Sequence, residues 1–258
     1  MNSEKLRVNS TDKQSLSDQI EGRNSVLELL ESERDINKIL IAKGERHGSI
    51  NKIITIAKRR KIVIAEVERQ KLNAISETNN HQGVIAIVPP FNYVEVEDIL
   101  NEAKAKNEDP FILMLDGIED PHNLGSIIRT AETAGVHGVI IPKRRAASVN
   151  ATVSKSSAGA VEHVKIARVN NINETIKYLK EEGLWICGTD GEAKDYYYNQ
   201  NLKGSMAIVI GSEGFGMSES VKKSCDFIAR IPMNGKINSL NASVAAGIMI
   251  YEVIRSNK

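Results

Sequence analysis

Phe111-Ile-Leu-Met-Leu-Asp116, followed by Gly117-Ile-Glu-Asp-Pro-His-Asn123 and then by Leu124 to Ala134, is the stretch on which the fold turns. Five apolar residues in a row, closed by an aspartate, read as a strand buried on both faces, as in a parallel sheet. In the segment that follows, Leu124, Ile127, Ile128, Ala131 and Ala134 recur at i, i+3, i+4, i+7 and i+10, the apolar face of one helix. Asn123 is placed to cap that helix and Gly135 to stop it. A second apolar run, Val139 to Pro142, completes a β-α-β unit. Arg129 falls off the apolar stripe, and on this unit alone it reads as an ordinary surface arginine.

Working outward, long strands followed by helices continue to the C-terminus. On the N-terminal side, shorter elements alternate: helices from Asn24 and over Ser49 to Lys61, strands over Ile36 to Ile41, Ile62 to Val67 and Gly83 to Val88. The spacing predicts a small α/β domain over residues 20–91 and a larger one over 110–258. Pro89 and Pro90 stop the last of these strands, and residues 92–109, containing a helical stretch from Val96 to Lys106, are expected as a linker. The polar residues 1–19 are expected as a flexible leader.

Composition narrows the function. Of 258 residues, 41% are hydrophobic and 26% charged, close to the averages for globular proteins. The formal charge is only +1, so a nucleic-acid surface has to be a local patch. Aromatic residues make up 4%, too few for a sheet that stacks rows of bases. No apolar run approaches the ~20 residues of a membrane helix. Cys187 and Cys225 fit no metal spacing or disulfide framework and read as buried thiols of a reducing cytoplasm. The five histidines show no paired ligand spacing, and no metal is expected. Residues 20–91 carry 12 Lys and Arg against 9 Asp and Glu, densest at Lys58-Arg59-Arg60-Lys61. That run reads first as a solvated helix end, with RNA-phosphate contact as its alternative.

Two further motifs carry chemistry. Ala207-Ile-Val-Ile-Gly211-Ser-Glu-Gly-Phe-Gly216 runs a buried strand into a loop with three glycines and the carboxylate Glu213. The glycine order matches neither the dinucleotide fingerprint nor a phosphate loop, so the backbone suits a nucleoside without phosphates. Phe227 to Met233 then leads through Asn234-Gly-Lys-Ile-Asn238 into Ser239-Leu-Asn-Ala-Ser243 and a closing helix to about Arg255. Asn238 or Ser239 is expected as its N-cap, with Leu240, Val244 and Ile248 as its apolar stripe. Ala242, Ala245, Ala246 and Gly247 permit close helix packing, including against a second subunit.

Taken in order, Asn123 with Arg129 six residues on, Gly-Ser-Glu-Gly at 211–214, Ile-Pro-Met at 231–233 and Ser-Leu-Asn-Ala-Ser at 239–243 closely resemble the SpoU (TrmH) family. These are 2′-O-ribose methyltransferases of the SPOUT superfamily. The resemblance spans about Phe111 to Arg255. Glu21-Gly-Arg-Asn-Ser-Val-Leu and His81-Gln-Gly-Val resemble the family's L30e-like substrate-binding domain. Together they bring the chain nearest the RlmB-like branch, which modifies a guanosine of large-subunit rRNA.

The resemblance implies an α/β fold in which a small L30e-like domain precedes a C-terminal SPOUT domain with a trefoil knot, paired as a homodimer. It implies S-adenosylmethionine as cofactor, held at Gly211, Ile231 and Leu240, with Thr189 of Gly188-Thr-Asp-Gly191 a further contact. The family's functional polar residues map onto Asn123, Arg129, Glu213, Ser239 and Asn241. Structured RNA, 23S rRNA first, is the implied partner. The alternatives are a tRNA or rRNA-adenosine ribose methyltransferase and a non-enzymatic RNA-binding protein. Because arginine does not readily release a proton, Arg129 is expected as a fork on RNA phosphate that also eases the developing alkoxide. The proton's route stays open between phosphate, water and Glu213.

Overall fold

The computed structural model describes residues 18–258. The expected leader lies outside the described residues up to 17, while Asp18 and Gln19 already belong to a strand. The first unit contains β1 (Asp18–Glu21), α1 (Arg23–Glu31), β2 (Lys38–Ala42), α2 (Ser49–Arg59), β3 (Ile64–Val67), α3 (Arg69–Ile75) and β4 (Val84–Val88). Its sheet has the order β1-β4-β2-β3, with β4 antiparallel to both neighbours and β2 parallel to β3. Side chains alternate across β2. Ile39 and Ile41 pack with Val26 and Leu29 of α1 and Ile50 and Ile53 of α2, while Leu40 and Ala42 face Leu72 of α3.

The basic run ends α2, and one member of it is structural. The Arg60 guanidinium donates to the carbonyls of Leu30 and Ser32 at 2.9 Å and of Arg34 at 3.1 Å. It thus satisfies backbone acceptors at the C-terminal end of α1 and just beyond, and only its neighbours Lys58, Arg59 and Lys61 remain exposed.

The second unit contains α4 (Val96–Lys106), β5 (Phe111–Asp116), α5 (Pro121–Thr133), β6 (Gly138–Pro142), α6 (Ala151–Ser156), β7 (Lys165–Val169), α7 (Ile172–Glu181) and β8 (Trp185–Thr189). It continues with β9 (Asp195–Tyr196), β10 (Met206–Gly211), α8 (Glu219–Ser224), β11 (Phe227–Arg230) and α9 (Ala242–Ser256). Seven parallel strands lie in the order β7-β6-β5-β10-β8-β11-β9. Both faces are covered, which explains the unbroken apolar runs. Phe111, Leu113 and Leu115 join the core with α5 and α9, and Ile112 and Met114 the core with α4 and α7.

Three expectations are corrected here. Residues 92–109 are not merely a linker: Ile99 of α4 is fully buried and lies where a side chain at Gly138 would sit. The N-cap of α5 is Asp120, whose side chain accepts the His122 N–H at 2.9 Å, with Pro121 in the first turn. Asn123 therefore sits inside the helix. The N-cap of α9 is Asn241, not Asn238 or Ser239, and its buried stripe is Ala242, Ala246, Met249, Ile250 and Val253, with Val244 half exposed.

In a parallel sheet, ligands collect at the carboxyl ends of the strands where the winding direction reverses. Here the chain winds outward from β5 through β6 to β7, while β10 and β8 lie on the other side of β5. The reversal falls between β5 and β10, at Asp116 and Gly211.

Candidate active site

At this reversal the loop from Gly211 to Gly216 folds back on itself. Ser212 N–H donates to Gly216 O at 3.0 Å and Gly216 N–H to Ser212 O at 2.9 Å. A side chain at Gly211 would collide with the returning backbone of Gly216 and Met217, which is why glycine stands there. The loop separates two hollows, of about 460 and 630 Å³.

Glu213, in the loop, lines both hollows. Its Oε1 accepts from Asn123 Nδ2 at 3.0 Å, from the backbone N–H of Ala242 at 3.1 Å, and from Asn241 Nδ2. Asn241 Nδ2 also donates to Asn123 Oδ1 at 2.9 Å. The Asn241 Oδ1 is engaged by Ser243 and Val244, capping α9. Helices α5 and α9 and the glycine loop thus converge on one carboxylate. Its Oε2 accepts no hydrogen bond among the described residues.

The smaller hollow is walled by Thr189, Gly211, Ile231, Ser239 and Leu240, drawn from three separate stretches of sequence. Thr189 Oγ1 donates to Val209 O at 2.9 Å and ties β8 to β10. The carboxylates here are Asp190, Glu192 and Glu213, against one lysine, Lys222, which already pairs with Asp190 and with Glu219 at 3.1 Å. Burial alone would raise the Asp190 carboxyl, but hydrogen bonds from Lys222 and the Glu192 N–H outweigh it and hold it below its usual range. An acidic, partly apolar wall repels phosphates. It fits a phosphate-free nucleoside bearing a positive charge, as in S-adenosylmethionine.

The larger hollow also has carboxylates in its wall, Asp116, Glu119 and Asp120 among them, but of the two it alone contains arginines. Asn123 and Glu213 form part of its wall, together with Arg144 and Arg145. These two arginines escaped the sequence reading, although Lys143-Arg144-Arg145 follows directly on β6 at the strands' carboxyl ends. Arg129 does not join the cluster. Six residues beyond Asn123, it lies about 9 Å along the helix and about 120° around it. It is exposed, and its side chain makes no hydrogen bond or ion pair among the described residues. It borders a separate recess with Asn24, Glu28 and His163.

Other chemistries find little support. Burial pushes both the Cys187 and the Cys225 thiol up to about 12, so neither offers a thiolate. Among the described residues, no group of three or more His, Cys, Asp or Glu could hold a metal ion, and no helix is long and apolar enough to cross a membrane.

The comparisons agree with this geometry. The SpoU rRNA methylase family model matches residues 110–251, and a model for RNA 2′-O ribose methyltransferase substrate binding matches residues 19–94. A Bacillus subtilis protein, YacO, which carries a TrmH family tRNA/rRNA methyltransferase name, is 48% identical over 238 residues, covering 92% of this chain and 95% of that protein. An AdoMet-bound rRNA methyltransferase from Sinorhizobium meliloti superposes with a TM-score of 0.78 at 25% identity, covering 93% of this chain and 87% of its own. The SpoU methyltransferase AviRb from Streptomyces viridochromogenes, solved with AdoMet, has the same fold, with a TM-score of 0.79 at 22% identity over 96% and 94% of the two chains. The chain belongs to the SpoU methylase family of RNA methyltransferases.

Proposed function

We propose that the protein transfers a methyl group from S-adenosylmethionine to a ribose 2′-hydroxyl of RNA, on a guanosine of 23S rRNA. The observation that carries this reading is Glu213, held by Asn123 and Asn241 between a nucleoside-sized hollow and a larger one that contains Arg144 and Arg145. Gly211, Ile231, Leu240 and Thr189 would hold the cofactor, which supplies a methyl group already activated on a sulfonium. Arg144 and Arg145 would draw the RNA into the larger hollow through its phosphates.

The remaining work belongs to the chain's own side chains. Asn123 and Asn241 fix one oxygen of Glu213 and leave Oε2 to accept the 2′-hydroxyl. That aligns the hydroxyl oxygen for in-line attack. As the oxygen–methyl bond forms and the sulfur–methyl bond breaks, the hydroxyl proton becomes strongly acidic. A carboxylate then suffices to take it. Ser239, on the rim, would orient the ribose. Arg129, away from this centre, would grip a flanking phosphate as a fork.

The larger unit is inferred to thread as a trefoil knot, supported by a sheet order in which β10 inserts between β5 and β8. The first unit, a four-stranded sheet between two helical layers, is inferred to be L30e-like and to select the RNA. The active form is inferred to be a homodimer of cytoplasmic enzyme. The exposed Val244 and Tyr251, seven residues apart on α9, support that pairing. The test is incubation with labelled S-adenosylmethionine and an unmodified 23S transcript. A methylated, alkali-resistant linkage beside a guanosine is expected. Labelling only of tRNA or of an adenosine would move the substrate, and no labelling of any RNA would overturn the reading.

A further inference from the structure

The first unit contains a polar hollow of about 540 Å³ between α3 and the loop that precedes β4. Buried Glu21 anchors that loop, accepting from Ser76 Oγ at 2.7 Å and the Glu77 N–H at 2.6 Å. His81 is buried and its ring is fixed on both sides. Nδ1 accepts the Gly83 N–H at 3.0 Å, so Nε2 carries the proton and donates to Asn73 Oδ1 at 2.7 Å. The Asn73 amide is thereby oriented, and its Nδ2 is left over as a donor. Gln82 is set in the same way. Its Oε1 accepts the Arg23 N–H at 3.0 Å, which leaves its Nε2 as a donor.

Charge points in the same direction. Arg23 and Arg69 share a single carboxylate, Glu45, at 2.9 and 2.8 Å, so the wall keeps one net positive charge. The oriented side chains have used their acceptors internally and offer N–H groups. No aromatic ring lines the hollow, so the face of a base finds no stacking partner there. What the Asn73 and Gln82 donors together complement is an edge of adjacent acceptors beside a negative charge. On the Hoogsteen edge of a purine, guanine shows two adjacent acceptors, O6 and N7, whereas adenine pairs N7 with a donor.

The loop that lines the hollow also contacts the second unit. Lys155 of α6 donates to Asn80 O at 2.8 Å and to Thr78 Oγ1 at 3.0 Å, joining this loop to the second unit. A further recess of about 390 Å³ lies between Thr78, Lys155 and His122, and His122 immediately precedes Asn123.

From this geometry we infer that the hollow around Asn73 and Gln82 is a docking site for an unpaired guanine nucleotide of the RNA, separate from the nucleotide that is methylated. The inference rests on the RNA methyltransferase reading above. Asn73 Nδ2 and Gln82 Nε2 reach the O6/N7 edge, and Arg69 takes the phosphate. A strand of RNA anchored there runs past Lys155 to Asn123 and Glu213.

The test uses the full chain, an unmodified 23S transcript, and the variants Asn73→Asp and Arg69→Ala, with melting temperature and S-adenosylmethionine affinity measured beside RNA affinity. Asn73→Asp keeps the acceptor for His81 and removes the donor. It is expected to weaken transcript binding about tenfold, the cost of one lost base-edge contact, with cofactor affinity unchanged. Asn79→Ala, at an exposed side chain on the rim, serves if Arg69→Ala melts early, and it too is expected to weaken binding. In NMR titrations, GMP is expected to shift the Asn73 and Gln82 amide signals more strongly than AMP. Variants that bind the transcript like the wild type, or AMP shifts equal to those of GMP, would overturn the site. A wild-type chain that neither binds nor methylates any RNA would instead overturn the function on which it rests.

Discussion

Asn241 at the start of α9 donates its Nδ2 to the Oδ1 of Asn123 in α5 at 2.9 Å, across 118 residues of sequence. Both amides also donate to Glu213 Oε1, so each fixes the other's orientation as well as the carboxylate's. Asn241 has a second duty as the N-cap of α9. Substitutions can separate the two. Asn241→Ala is expected to cost about 1 to 2 kcal/mol of stability through the lost cap and to abolish methyl transfer. Asn241→Ser keeps a capping oxygen without setting a second carboxylate against Glu213, and it loses the amide donors, so it is expected to fold with near-normal stability and still fail to turn over. Urea denaturation and a methyl-transfer assay on both variants decide it; an active Ser variant would mean that Asn241 serves only as a cap.

The Arg129 side chain stands apart from this network, exposed and free of hydrogen bonds and ion pairs among the described residues. Arg129→Ala is therefore expected to change stability by no more than about 0.5 kcal/mol. Cofactor affinity is expected to stay the same while RNA binding and turnover fall. Arg129→Lys is expected to restore little, because lysine offers a point charge and no fork. Calorimetry with S-adenosylmethionine beside filter binding with RNA reads both; a cofactor defect would place Arg129 at the other site.

Within the basic run, Arg60 is the member that stability needs. Removing a charged donor from the carbonyls of Leu30, Ser32 and Arg34 is expected to cost about 2 to 3 kcal/mol in Arg60→Ala. Lys58→Ala and Lys61→Ala are expected to leave stability unchanged and to flatten the salt dependence of RNA binding. Equal stability across all three variants would remove Arg60 from its structural role.

Burial, and Arg69 nearby, push the His81 imidazole below its ordinary pKa, with Lys155 acting the same way and Glu21 and Glu45 opposing. The folded form then holds fewer protons than the unfolded chain just below the unfolded pKa of about 6.5, so stability falls as the pH drops through that value. Equilibrium unfolding between about pH 7.5 and 5.5 is expected to show this loss in the wild type and a smaller one in His81→Gln. An identical slope in the two proteins would show that the carboxylates alone set it.

Much of this architecture was legible because periodicity is local. The run Phe111 to Asp116 and the helix Val96 to Lys106 are visible in their own residues. What the pattern misses is contact. Nothing in the sequence near Ile99 says that it packs over Gly138, so α4 reads as a linker. Asn238, Ser239 and Asn241 all carry capping chemistry, and only the path of the loop in front of α9 selects Asn241. Asn123 likewise looks like a cap until Asp120 and Pro121 start α5 three residues earlier. Motif order gathered Glu213 with Asn123 and Asn241, but helix geometry turns Arg129 away from them. The Arg144-Arg145 pair went unread because three basic residues after a strand look like an ordinary turn.

The central claim is that Glu213 is where the ribose hydroxyl is held and deprotonated. Single-turnover methyl transfer to a 23S transcript by Glu213→Gln, with S-adenosylmethionine affinity measured on the same protein, addresses it most directly. Glutamine keeps an oxygen for the Asn123 and Asn241 donors but cannot accept the proton. The expected result is a rate lower by about a hundredfold or more, with cofactor and RNA affinities close to those of the wild type. A Glu213→Gln protein that methylates at the wild-type rate would contradict the claim and return the proton to phosphate or water.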